Sequence, residues 1–153
     1  MKKVAIIGCL ALATVLFTGG TVFAEESGLW QTDYDAALKQ AATENKYVLV
    51  DFSGSDWCGW CMKLDKEVFS QKEFIDYAKE NLICVLLDFP RAKEQSDAVK
   101  KQNQTLLQKY GVQGFPTVLI LNPKGKVVER TGYQPGGAQA YVDMIKKILP
   151  AAQ

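Results

Sequence analysis

Val48-Leu49-Val50-Asp51-Phe52-Ser53-Gly54-Ser55-Asp56-Trp57-Cys58-Gly59-Trp60-Cys61 decides how this chain is read. Tyr47 to Phe52 is a nearly continuous apolar run rich in β-branched residues, the mark of a strand buried on both faces. Ser53 to Asp56 is a loop, and Trp57 to Cys61 opens a helix with two thiols one turn apart. Outward from this stretch, the apolar stripe of Tyr34, Ala37, Leu38 and Ala41 predicts a helix from Thr32 to Asn45. Downstream come a helix towards Phe69, another from about Ser70, and a buried strand from Leu82 to Leu87. A helix from Ala98 to Tyr110 follows, with Val99, Leu106, Leu107 and Tyr110 inward. Thr117 to Leu121 and Lys126 to Arg130 form a hairpin about Asn122-Pro123-Lys124-Gly125, and Tyr141, Val142, Ile145, Ile148 and Leu149 face inward from a terminal helix. The order predicts one α/β domain: a central mixed β-sheet with helices on both faces.

Composition narrows the chemistry. The chain has 153 residues, 48% of them apolar, enough for a real core. It has no histidine, which removes Ser-His-Asp and Cys-His catalysis and His-bound metals. A formal charge of +1 gives no reason to expect a nucleic-acid partner. Met1-Lys2-Lys3, the apolar run Val4 to Phe17 and Val22-Phe23-Ala24 predict a signal peptide over residues 1–24, with the domain over 25–153. The apolar run is shorter than the roughly 20 residues a membrane span needs. Cleavage would take Lys2 and Lys3 from the 18 basic residues and none of the 17 acidic ones, moving the charge to −1. Cys58, Cys61 and Cys84 would then stand in a compartment where disulfides persist.

The Cys58-Gly59-Trp60-Cys61 pair is read by elimination. Zinc needs about four ligands, and Cys84 is the one further thiol of the mature chain. A c-type haem needs His after the second Cys, where Met62 stands. No metal or other cofactor is expected. A static staple across so small a loop would restrain the unfolded chain little. The remaining reading is redox chemistry. At a helix mouth the Cys58 thiolate is favoured by free N–H groups, so Cys58 is the nucleophile and Cys61 the deeper, resolving thiol. Asp56, close by, would oppose that effect on Cys58. Cys84 reads as a core thiol, and the charges of Lys63 to Glu67 as a solvated face.

Together with Tyr110-Gly111-Val112-Gln113-Gly114-Phe115-Pro116-Thr117, these motifs resemble the thioredoxin superfamily, over roughly Asp33 to Leu149. Lys63-Leu64-Asp65-Lys66-Glu67-Val68-Phe69-Ser70 is similar to the C-terminal domain of the periplasmic electron-transfer protein DsbD and to small exported relatives. The resemblance implies a thioredoxin fold and a cis Pro116. It places Phe115 where the backbone pairs with a substrate strand, and Trp57, Gly59 and Trp60 on the substrate surface. It also makes Asp51 the carboxylate that moves a proton at Cys61. The loop after Asp51 is one residue longer than in thioredoxin, which leaves open a solvated strand-end carboxylate instead. The family's strand lysine near this aspartate is absent, since Cys84 to Leu87 is apolar. Trp60 stands where other members carry Pro or His, and it adds no charge to stabilise a thiolate. The function expected is therefore an exported, periplasmic protein-disulfide reductase, secreted if the cell has no outer membrane. It would be a monomer acting on disulfide-bearing proteins and recharged by a membrane electron donor of DsbD type. The alternatives are a disulfide oxidase or isomerase, or a peptide-binding chaperone module without turnover.

Overall fold

The structure, a computed structural model, describes residues 28–149; the leader expected over residues 1–24 lies outside them. Its elements are β1 (Trp30–Gln31), α1 (Tyr34–Glu44), β2 (Tyr47–Ser53), α2 (Gly59–Leu64), a π-helical segment (Asp65–Phe69), α3 (Lys72–Asn81), β3 (Leu82–Asp88), α4 (Asp97–Lys109), β4 (Thr117–Leu121), β5 (Val127–Thr131) and α5 (Gly137–Ile148). The sheet runs β1-β3-β2-β4-β5. The β1, β3 and β2 strands are parallel, while β4 is antiparallel to both β2 and β5. This is the thioredoxin fold.

The sheet separates two cores. On one side Leu49, Cys84, Val118 and Ile120 pack under Leu64, Val68, Phe69, Phe74, Tyr141 and Ile145. On the other Val48, Val50, Phe52 and Leu87 pack under Tyr34, Ala37, Ala41 and Leu106. The alternation of β2 therefore sends Asp51 to the same side as Leu49, beneath the helix that carries the cysteines.

Several boundaries differ from the sequence reading. Asp33, not Thr32, caps α1, its carboxylate accepting the Ala36 N–H at 2.9 Å. The helix from Cys58 does not run evenly to Phe69: Ser70 N–H reaches back to Asp65 C=O at 2.8 Å, widening the last turn. On α4 Leu106 is buried as expected and Val99, Leu107 and Tyr110 are half-buried, but the other buried residue is polar Asn103. Its amide donates to Asp88 C=O at 2.9 Å, which satisfies a group at the end of β3. The two-residue β1 has no counterpart in the sequence reading.

Candidate active site

Cys58 is the N-cap of α2. Its backbone is extended and its Sγ accepts the Cys61 N–H at 3.2 Å. Cys58 N–H in turn donates to Gly54 C=O at 2.9 Å, so a tight loop aims the sulfur at the helix start. Cys58 and Cys61 form a disulfide, with Cα atoms 5.2 Å apart. The expectation that Cys61 lies deeper holds only marginally: Cys58 is 6% exposed and Cys61 4%. The helix cap distinguishes the two sulfurs better than depth does.

Gly54 makes the loop possible. A Cβ there would lie 2.5 Å from the Trp57 ring. The Trp57 indole N–H donates to Phe89 C=O at 2.7 Å, and the Phe115 ring meets Trp57 edge-on at 5.7 Å. Gly54→Ala is expected to displace this indole and destabilise the domain by roughly 1–3 kcal/mol. Thermal unfolding and tryptophan emission would check it, and unchanged values of both would refute the close fit.

The Phe115–Pro116 peptide is cis and lies at the start of β4. Phe115 also packs on Phe89 at 5.2 Å. A Cβ on Gly132 would come within 2.9 Å of Pro116 C=O, so the chain leaving β5 passes this proline at a distance that glycine allows.

Asp51 is 5% exposed, and among the described residues its Oδ1 is a buried side-chain oxygen with no hydrogen-bond partner. The carboxylate is thus buried in the structure rather than set in solvent. Leu86 stands opposite it in β3, so no cation from that position neutralises it. Burial first, then the Asp65 and Asp88 carboxylates, push its pKa up to about 8. Asp51 and Cys61 line one cavity of about 250 Å³, together with Trp30, Ser53, Asp65 and Phe69. Burial and the Asp51 charge also raise the Tyr141 phenol above its ordinary value.

Several contacts around the site carried no signal in the sequence. Trp60, 57% exposed, lies 5.2 Å from the Tyr133 ring, and the Lys63 ammonium sits 5.1 Å from one ring centre and 4.9 Å from the other. Tyr133 donates to Glu67 at 2.6 Å. Part of the run read as a solvated face thus borders the site. Asp56 anchors a neighbouring loop: its carboxylate accepts from the backbone of Arg91, Ala92 and Lys93, which holds its pKa below the usual range. That anchor places the Arg91 guanidinium 4.1 Å over the Trp57 ring. These contacts join residues distant in sequence, so spacing could not reveal them. Cys84 is 1% exposed and burial raises its thiol to about 12.

Among the described residues no group of three or more Cys, Asp or Glu side chains is placed to hold a metal ion. No described helix is long and apolar enough to cross a membrane.

Known proteins fall in line with this geometry. The thioredoxin-like domain family matches residues 34–148. A Chlamydia pneumoniae protein named disulfide bond reductase DsbH is 36% identical over 120 residues, covering 78% of this chain and 72% of that protein. The solved DsbH oxidoreductase superposes with a TM-score of 0.74 at 35% identity, over 78% of this chain and 82% of the other. The reduced C-terminal domain of Neisseria meningitidis DsbD shares the fold, with a TM-score of 0.59 at 24% identity over 75% of this chain and 93% of the other.

Proposed function

The chain belongs to the thioredoxin-like domain family and is a thiol–disulfide oxidoreductase of the Dsb type, and from that premise we propose that it is an exported protein-disulfide reductase. The observation that carries the proposal is the Cys58–Cys61 pair at the cap of α2, with Cys61 sharing a cavity with Asp51, whose buried Oδ1 has no partner among the described residues. In the reduced protein the Cys58 thiolate attacks a substrate disulfide. A Cys58–substrate S–S bond forms, and the substrate's other sulfur leaves as a thiolate that takes a proton. In its ionised form Asp51 takes the proton of Cys61 through the cavity, the Cys61 thiolate attacks Cys58 Sγ, and the proton passes to the substrate sulfur that leaves. The substrate leaves as a dithiol, having gained two electrons, and the Cys58–Cys61 disulfide remains.

Phe115 supplies backbone for the substrate strand beside Pro116, while Trp57, Gly59 and Trp60 form the surface it crosses. The reducing direction is supported by an uncharged Trp60 between the thiols and by the name of the DsbH relative. Residues 1–24 export the chain to the periplasm, where it works as a monomer on disulfide-bearing proteins. A membrane dithiol donor of DsbD type returns it to the reduced state. Equilibration with glutathione or dithiothreitol buffers is expected to give a reduction potential near or below about −230 mV. A value above about −180 mV would make it an oxidant or isomerase.

A further inference from the structure

The match to the family starts at residue 34, yet the cavity shared by Asp51 and Cys61 has a wall from before that point. Trp30 stands in β1, which joins the sheet edge by pairing Trp30 with Cys84 and Gln31 with Val85. Cys84 faces the cysteine-bearing side of the sheet, and so does Trp30. Its ring lies 5.0 Å from Phe69 and 6.4 Å from Phe74. The pairing stops at Val85, one residue short of Leu86, the partner of Asp51 in β3. Among the described residues no strand therefore covers the sheet edge at the level of the carboxylate, and Trp30 is the residue before the family match that lines the cavity.

We infer that Trp30 is a positioning residue of the redox site: it walls off from bulk water the cavity that Asp51 and Cys61 share. The inference deepens the proposed role of Asp51 and rests on it for its use in the reaction. The charged groups that act on Asp51 are Asp65 at the start of the π-helical segment and Asp88 at the end of β3, while Tyr141 of α5 feels the Asp51 charge in turn. None lies on β1. A neutral substitution at Trp30 thus leaves every one of those charges in place and alters only the access of water.

The test is a carboxyl carbon NMR titration of Asp51 in the oxidised full chain. The wild-type midpoint is expected near 8. Trp30→Ala is expected to move it acidward by about one pH unit or more, because water then solvates the carboxylate. Trp30→Phe should restore most of the difference. Phe74→Leu is the control: it loosens the same aromatic cluster without lining the cavity, and it should lower Tm with the midpoint unmoved. A Trp30→Ala midpoint equal to that of the wild type would overturn the inference, and Trp30→Leu replaces it if the alanine variant does not fold. The role of Asp51 is judged separately. If Asp51→Asn resolves mixed disulfides at the wild-type rate, the proton-exchange reading fails while the titration still decides the place of Trp30.

Discussion

Cys58→Ser is expected to reduce insulin disulfides at no more than background, a loss of roughly 10³-fold or more, the scale seen when an activated nucleophile is removed. Cys61→Ser is expected to fail differently, forming a mixed disulfide with substrate that it cannot resolve. Depth does not assign these roles, since both thiols are buried almost equally. The cap does. Cys58 Sγ accepts an N–H at the start of α2, an interaction that strengthens when the sulfur is an anion. That N–H belongs to the Cys61 backbone and survives Cys61→Ser. Cys84 cannot substitute for either, because it is sealed in the core and its thiol is held protonated. Non-reducing gels should show a substrate adduct on Cys61→Ser, removed by dithiothreitol, and none on Cys58→Ser. The opposite pattern would exchange the roles, and unchanged turnover by Cys58→Ser would sink the mechanism.

What could be read in advance followed local pattern. The run Tyr47 to Phe52 becomes the central strand β2 because its alternate residues enter two separate cores. The cysteine pair is legible because one helical turn separates its members whatever surrounds them. For Asp51 the resemblance implies a buried carboxylate, while the longer loop after it leaves a solvated strand-end carboxylate open. Its burial depends on what lies over it, namely Cys61, Asp65 and Phe69 from one side and Trp30 from the other. Two residues of β1 carry no periodicity, so Trp30 reads as part of a lead. Asn103 is polar and breaks the expected apolar stripe, yet its buried amide finds the Asp88 carbonyl at the end of β3, which also accepts from Gln95. The walls of the site are hidden for the same reason. Arg91 over Trp57 and Lys63 between Trp60 and Tyr133 are through-space contacts, and charge runs alone read as solvent-facing.

Asp51→Asn is expected to stabilise the oxidised protein at alkaline pH while slowing its chemistry. The folded state holds the Asp51 proton to about 8, whereas an unfolded chain releases it near 3.8. Below the lower value both states are protonated and the carboxyl costs nothing. As pH rises the unfolded state loses its proton first, so stability falls by about 1.36 kcal/mol per pH unit until the folded state also ionises. Over that window the loss approaches about 6 kcal/mol, large beside the roughly 5–15 kcal/mol that holds a typical domain. The amide introduced by Asp51→Asn carries no charge to desolvate, so urea unfolding should give a difference between variant and wild type that is small at pH 4 and grows steadily to pH 8. Parallel profiles would mean that Asp51 ionises normally and is solvated in solution. The same variant cannot accept the Cys61 proton, and release of the mixed disulfide should slow by roughly 10²-fold, the lower range for loss of a positioned base. A gain in stability joined to a loss of resolution is the pairing to look for, because burial alone gives the pH slope without the slower release.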